Sequence, residues 1–355
     1  SHQRRVDAPV GRPAGLARAS AAAMSKVDVD FDGKWVRSVA IVSAEYAVAL
    51  SLSAAAGAAA DPARSPLAVA FGMDLLCTAC VFACSLAHDN SSVYDPYWHA
   101  VPPFVLAYWM ARYGGADAGG AHPGSARSAR WVAMFLLLCA WSLRLTFNWL
   151  RGWGGLAHED WRYAQFREDV CRRGLPRGVY WVVLSLLGFH LVPTALVFCA
   201  LLPAWAVVAT PQPSPPNALD ALALALGLGA VALQATADDQ LRAFRAKAAR
   251  RPGAAAAAAV ADVGVWRYSR HPNYFAEVLH WAAYGLFAVA AGAQPALAAL
   301  GWAPLLLLFL GASIPLMEAR QVARRPAYSV YQKSVSSFVP LPRFPWRRGP
   351  GDKSA

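Results

Sequence analysis

At 355 residues the chain is 57% hydrophobic and only 15% charged, with a mean hydropathy of +0.32. Soluble domains carry more charge and less apolar residue, so a soluble enzyme is excluded. The net charge of +12 does not point to nucleic acid, because Lys and Arg cluster between apolar stretches, where basic surface meets anionic lipid headgroups. Six cysteines show no zinc spacing; Cys77, Cys80, Cys84, Cys139 and Cys199 lie inside apolar segments and read as small packing residues, with Cys171 alone in a loop.

Residues 1–35 form an extension expected to be disordered, with four arginines before residue 30 and an internal Met24. Its composition suits a targeting segment as well as untargeted low-complexity sequence. A single integral membrane domain is expected over 36–345, followed by a basic tail at 346–355. Apolar segments of spanning length, or nearly so, run at 36–57, 66–88, 129–150, 179–208, 218–240, 272–292 and 295–317, with a shorter one at 97–112. The pattern predicts an all-α, polytopic transmembrane bundle of eight helices, or seven if 97–112 does not cross. Six basic residues fall in 151–178, seven in 241–271, eight after 317 and none in 209–217. The positive-inside rule therefore places those basic segments and the C-terminus in the cytosol, and with eight spans the N-terminus joins them. Endoplasmic reticulum or an organelle membrane is the expected location.

Polar residues within the apolar segments are the candidate functional groups. Glu45 and Tyr46 lie in the first, Asp74, Thr78, Ser85 and His88 make a stripe in the second, and Tyr94-Asp95-Pro96-Tyr97-Trp98 follows. Each offers either a proton donor or an interhelical hydrogen bond. Arg144 lies inside the 129–150 segment, on one face with Asn148 and Arg151, and His158 to Tyr163 continue the polar run. Pro211 to Pro216 reads as a turn. Asp238, Arg242 and Arg245 recur at i, i+4 and i+7, so a carboxylate and two guanidiniums can meet a ribose or adenine and a phosphate, or pair at the membrane edge. The alanine-rich run from Pro252 to Ala259 carries no functional signal.

The densest cluster is Trp266-Arg267-Tyr268-Ser269-Arg270-His271-Pro272-Asn273-Tyr274-Phe275-Ala276-Glu277. Pro272 suits the first turn of a helix, so the cluster straddles a helix N-terminus, where backbone donors and the dipole favour an anionic cofactor. Asn273, Glu277, His280 and Tyr284 then line one helix face, which is expected to look into a site. Glu318 and Arg320 leave the last span on the same side.

The run Trp266 to Glu277, with Ala237-Asp238, Arg245, Ser313 to Glu318 and the Tyr328 to Pro340 ending, resembles the DUF1295 branch of the steroid 5-alpha-reductase-like membrane proteins. The resemblance covers about residues 90–345. It implies a helical membrane reductase in which NADPH enters from the cytosol and a hydride passes to a conjugated carbon–carbon double bond of a hydrophobic lipid-like or steroid-like enone. By motif, Asp238 and Arg245 look like adenine and ribose-phosphate contacts, and Asn273 and Glu277 resemble an Asn-x-x-x-Glu pair at the nicotinamide end. Arg270, His271 and Tyr274 match an Arg-His-Pro-Asn-Tyr element, and Arg320 a basic residue near the last helix. With Arg242 and Arg144 these make the expected cofactor set, and Tyr274 and Glu277 the expected catalytic pair; no metal is expected. The sequence departs from the family at Ala276, where glycine is usual, and at Gln234, where many members have an acid. The N-terminal glutamate and tyrosine that polarise the ketone in steroid reductases have no aligned counterpart, so the resemblance does not imply a steroid in particular. Two alternatives share the motifs: an S-adenosylmethionine-dependent methyltransferase of the isoprenylcysteine or phospholipid type, and a non-catalytic membrane protein of the same fold.

Overall fold

The computed structural model describes residues 31–61, 64–113, 126–210, 214–251 and 258–343. Residues 1–30, most of the alanine-rich run and the tail at 346–355 lie outside them. The main helices of the described structure are α1 (Gly33–Ala59), α2 (Pro66–Ala87), α3 (Pro102–Tyr113), α4 (Ala126–Gly152), α5 (Trp161–Arg172), α6 (Arg177–Ala209), α7 (Ala218–Ala249), α8 (Pro272–Ala290), α9 (Pro295–Arg324) and α10 (Tyr328–Ser334), with short turns of helix at Ser91–Tyr94, Tyr97–Ala100 and Gly264–Arg267. No strand occurs among the described residues; one parallel bridge joins Ser269 to Ser336.

Local chemistry sets the helix starts. Asp32 caps α1 through the Trp35 amide (2.8 Å), Asp160 caps α5 through Arg162, and Asn217 with Asp220 closes a capping box on α7. Proline opens α2, α8 and α9, where its missing N–H leaves no hydrogen bond unmade. Six helices are long and apolar enough to cross a membrane: α1, α2, α4, α6, α7 and α9. At 19 residues, α8 reaches about 28 Å, close to the thickness of a bilayer core. The expected 97–112 segment is broken into a short helix, Tyr97–Ala100, and α3, because the consecutive Pro102 and Pro103 remove two amide donors.

Two ends of the bundle are defined by contacts. At one, Trp35 Nε1 at the start of α1 donates to the Trp153 carbonyl after α4 (3.0 Å), and the ends of α7 and α9 meet the start of α8. The first segment thus begins at the same end at which the last finishes, as any even number of spans requires. At the other end, buried Arg130 in α4 holds Asp220 with Nε (2.6 Å) and Nη2 (2.7 Å) and donates to the carbonyls of Ser214, Pro215 and Ala290. This guanidinium staples α4, α7 and α8 together, a role not visible in the sequence.

The core is aromatic and small-residue rich. Trp109, Trp141, Trp281, Tyr94, Tyr97 and Tyr284 are fully buried, and α8 runs through the middle of the bundle against α7 and α6. Close approach depends on Gly285 of α8: a Cβ there would lie 2.8 Å from the Ala298 carbonyl of α9. In α6 the stretch Tyr180–Leu191 is wound as a π-helix, as is Phe309–Ser313 in α9; such segments redirect side chains and recur at functional sites.

Candidate functional site

Polar side chains of α4, α7 and α8 meet where those helices reach the basic end. The Asp238 carboxylate accepts from Arg144 Nη2 (2.7 Å) and Asn148 Nδ2 (3.1 Å) on one oxygen and from Asn273 Nδ2 (3.4 Å) on the other. Arg151 bonds Asp239 (2.7 Å) and Asn148, and Arg242 donates to the Arg151 carbonyl (3.0 Å). The Arg144, Asn148 and Arg151 face of α4 and the Asp238 face of α7 therefore form one cluster; the sequence spacing showed each face but not that the two meet. Satisfaction is incomplete: Arg144 Nε and Nη1 are buried without a partner, and Arg245, two turns beyond Asp238, is exposed and makes no hydrogen bond or ion pair among the described residues.

The Arg270 cluster is arranged differently from its expected role. Arg270 Nε and Nη2 clasp both oxygens of Glu318 (2.6 and 3.1 Å), and Nη1 donates to the carbonyls of Gln332 (2.8 Å) and Val335 (2.6 Å). His271 Nε2 lies 3.1 Å from Glu318 Oε1, and Gln332 donates to Oε2 (2.7 Å). Ser269 Oγ donates to the Phe338 carbonyl and the Tyr331 hydroxyl to the Trp266 carbonyl. Arg270 and His271 are thus committed to tying the start of α8 to α9, α10 and the chain after it, with every nitrogen of the Arg270 guanidinium already bonded within the protein. Sequence spacing shows a donor but not whether another part of the chain has taken it.

The expected catalytic pair also separates. Glu277 is buried and fully bonded: Oε2 accepts from Trp141 Nε1 (3.0 Å) and from Gln234 Nε2, and Oε1 from Trp281 Nε1 (2.8 Å). Gln234 therefore supplies a donor where an acid would set two carboxylates together. Tyr274 stacks between His271 (5.4 Å) and Phe309 (4.6 Å), and its hydroxyl makes no hydrogen bond among the described residues. Arg320 lies over the Trp161 ring (3.3 Å to the centroid) and donates to Gln165 (3.3 Å), joining α9 to α5. The face carrying Glu277, His280 and Tyr284 does not open into a site: it packs on α4, with His280 stacked on Trp141 and the Tyr284 hydroxyl on the Met134 carbonyl.

A second constellation lies between α2, the Tyr97–Ala100 turn and α6. The Tyr97 hydroxyl donates to Asp74 Oδ1 (2.6 Å) and receives from Thr78 (2.9 Å); Thr78 bonds Thr194 (2.9 Å), which bonds the Tyr94 hydroxyl (2.8 Å). Asp74, Tyr97 and Thr194 line a cavity of about 10 Å³ with Trp98, Pro102 and Val105, room for about one water. Trp98 also packs edge-on against Trp141 (5.8 Å), so this cavity and the Glu277 cluster share an aromatic wall. His190 of α6 lies beside this constellation, 3.1 Å from Ser85 Oγ and 2.8 Å from the Ser185 carbonyl; sequence reasoning named Asp74, Thr78, Tyr94 and Tyr97 without pairing them and missed Thr194 and His190, although polar groups in an apolar span are themselves a signal. Glu45 and His88 form a separate pair at 2.6 Å.

Beside these clusters, in the connection between α2 and α3, half-buried Asp95 accepts from the Tyr163 hydroxyl of α5 (2.6 Å). Burial pushes its carboxyl up to about 6, against the opposing pull of Arg162.

An uncharacterized protein of Schizosaccharomyces pombe is 24% identical over 290 residues, which cover 78% of this chain and 80% of that one. No solved structure matches. The Arg-His-Pro-Asn-Tyr element and the Asp238 cluster fall within residues 81–335, which match the family model DUF1295, protein of unknown function: the chain belongs to that family.

Proposed function

We propose that this membrane protein is an NADPH-dependent reductase that saturates a carbon–carbon double bond conjugated to a carbonyl in a lipid-like substrate. The observation that carries the reading is the unsatisfied cationic surface at the basic end. Arg144 keeps two buried nitrogens without a partner, and Arg245 stands unpaired on the helix that carries Asp238. A buried guanidinium left short of acceptors is unfavourable unless an anion completes it, so these residues fit a phosphate-bearing cofactor better than the cationic S-adenosylmethionine. Arg245 and Arg144 would hold the anionic part, with Asp238 and Asn273 offering an acceptor and an amide to hydroxyl and carboxamide groups. Glu277 positions Trp141, Trp281 and Gln234 and does not itself act on the substrate. When bound, NADPH supplies the hydride.

Within the chain, Tyr97 is the candidate acid. With Asp74 protonated, the Asp74 O–H donates to the Tyr97 oxygen, and Tyr97 turns its own proton to the substrate carbonyl, stabilising the charge that develops there as hydride arrives at the β-carbon. Hydride and proton give the enol, which takes a proton from water at the α-carbon as it loses the one on oxygen to become the saturated carbonyl compound; Asp74 restores the Tyr97 proton and is itself reprotonated from water. Val101, Val105, Val197 and Leu201 make the rest of that small cavity's wall apolar, so a substrate must widen it to reach Tyr97. The charge distribution supports a cytosolic C-terminus and entry of the cofactor from that side.

Incubation with NADPH deuterated at the transferred position and a panel of long-chain enones tests this reading. A saturated product carrying one deuterium, with the rate in Tyr97→Phe about 10²-fold lower, is expected. A deuterium-free product, or Tyr97→Phe turning over as fast as wild type, contradicts it.

A further inference from the structure

We infer that the groove between the end of α1 and the start of α2 holds a membrane glycerophospholipid, its phosphate on Arg64 and one acyl chain against Gly72. This site is separate from the one proposed for NADPH and the enone, and it lies outside residues 81–335, which the family model matches.

α1 starts at the basic end, where Trp35 bonds Trp153, and its 27 residues rise about 40 Å. Ala60, Arg64 and Pro66 therefore lie at the opposite membrane surface, level with the lipid headgroups. There Ala56 and Ala60 of α1 and Ala68, Val69 and Gly72 of α2 line a groove of about 230 Å³, with exposed Arg64 at its mouth. The groove holds far more than one water and less than the roughly 300 Å³ that encloses a whole small ligand, so its size suits part of a hydrocarbon chain. Between Pro66 and Met73 it descends about 10 Å, past the headgroups and into the hydrocarbon layer.

Packing accounts for one glycine here and not for the other. A Cβ on Gly57 would overlap Met73, where α1 and α2 touch, whereas a Cβ on Gly72 would meet no atom within 4 Å. Glycine weakens a helix interior relative to alanine, so the open face at Gly72 serves something other than the chain's own packing.

The mouth of the groove is cationic and unmet. The Arg64 amide donates to the Asp61 carbonyl (2.9 Å), but its guanidinium makes no hydrogen bond or ion pair among the described residues. Beside it α2 begins with no side-chain cap from Ser65 and no N–H on Pro66. The first backbone bond of the helix runs from the Val69 amide to the Ser65 carbonyl (3.0 Å), and the Leu67 and Ala68 amides make none. Free amides at a helix start and a guanidinium together suit a phosphate. Two comparable groups at this end are closed: Arg130 is satisfied by Asp220 and three carbonyls, and α7 by its capping box. A phosphate joined to a hydrocarbon chain meets both the mouth and the walls. A free anion would leave the apolar groove empty, and a diacylglycerol would leave Arg64 unmet.

Thermal unfolding of the delipidated full chain in detergent, titrated with dioleoylphosphatidylglycerol, dioleoylglycerol and glycerol 3-phosphate, tests the inference on wild type, Arg64→Gln and Gly72→Leu. Neither substitution removes a side-chain contact within the protein, so both variants are expected to unfold at the wild-type temperature when no lipid is added. The phospholipid is expected to raise the wild-type Tm with saturation, and its two part-molecules to raise it less. Apparent affinity should fall about tenfold in Arg64→Gln, the loss of one charge-assisted contact, and the saturable shift should vanish in Gly72→Leu. Equal stabilisation by dioleoylglycerol, or equal shifts in all three proteins as lipid bound elsewhere on the bundle would give, overturns it. So does a wild-type dimer, insensitive to lipid, that Gly72→Leu converts to monomer.

Discussion

Arg270 and Arg144 both lie at the basic end of the bundle, and both look like cofactor ligands in the sequence. Their surroundings differ. Arg270 meets two carboxylate oxygens and two carbonyls, whereas Arg144 meets one carboxylate oxygen and keeps two buried nitrogens unpartnered. A saturated guanidinium is part of the scaffold. An unsaturated one in a place that excludes water is available to a ligand. The motif that is densest in the sequence thus fastens the C-terminal segment, and the sparser Arg144, Asp238 and Arg245 set offers the binding surface.

The comparison breaks most readily at Arg270. Arg270→Ala leaves half-buried Glu318 with only His271 and Gln332 and frees the Gln332 and Val335 carbonyls, which is expected to lower stability by about 3 kcal/mol, read as a loss of folded protein in thermal unfolding. Survival with wild-type Tm would mean that the Glu318 clasp is not structural. Of similar size is Glu277→Leu, which strands the Trp141, Trp281 and Gln234 donors and is expected to destabilise by about 3 kcal/mol, against about 1 kcal/mol for Glu277→Gln. Equal, small effects in both would show that Glu277 is not the brace described here.

The smallest effect concerns pH and sharpens the contrast away from both arginines. The Asp95 carboxyl titrates at about 6 in the folded protein, above its ordinary value, so its protonated form stabilises the fold. That contribution is full below about pH 4 and is lost as pH rises through about 6. In Asp95→Asn the fall in Tm between pH 5 and pH 7 should be shallower than in wild type, by about 2–4 °C. Parallel curves would place the titration elsewhere.

Much of the architecture was legible because it follows from length and local chemistry. Apolar runs of spanning length located α1, α2, α4 and α6 within a few residues and the starts of α7 and α9, whose polar last turns run nine and seven residues past the expected ends, and Pro272 marked the start of α8. Polar i, i+4, i+7 spacing brought Arg144, Asn148 and Asp238 into view. What spacing does not carry is the identity of a partner distant in the chain. Glu318 lies 48 residues from Arg270, and Trp141 lies 136 from Glu277; each converts an apparent ligand residue into scaffold. Gln234 read as a lost charge until its amide was found on Glu277. The pairing of Asp74 with Tyr97 was hidden for the same reason, since it depends on how the chain turns after α2, where Pro96, Pro102 and Pro103 override the apolar periodicity.

The most direct test of the account is a titration of NADPH, NADH and S-adenosylmethionine against the detergent-purified wild type and Arg245→Ala. Exposed Arg245 makes no hydrogen bond or ion pair among the described residues, so its removal is expected to leave stability within about 0.5 kcal/mol of wild type while weakening NADPH binding about tenfold or more, the effect of losing one charge-assisted phosphate contact. Binding of S-adenosylmethionine in preference to NADPH, or NADPH affinity unchanged in Arg245→Ala, would contradict it.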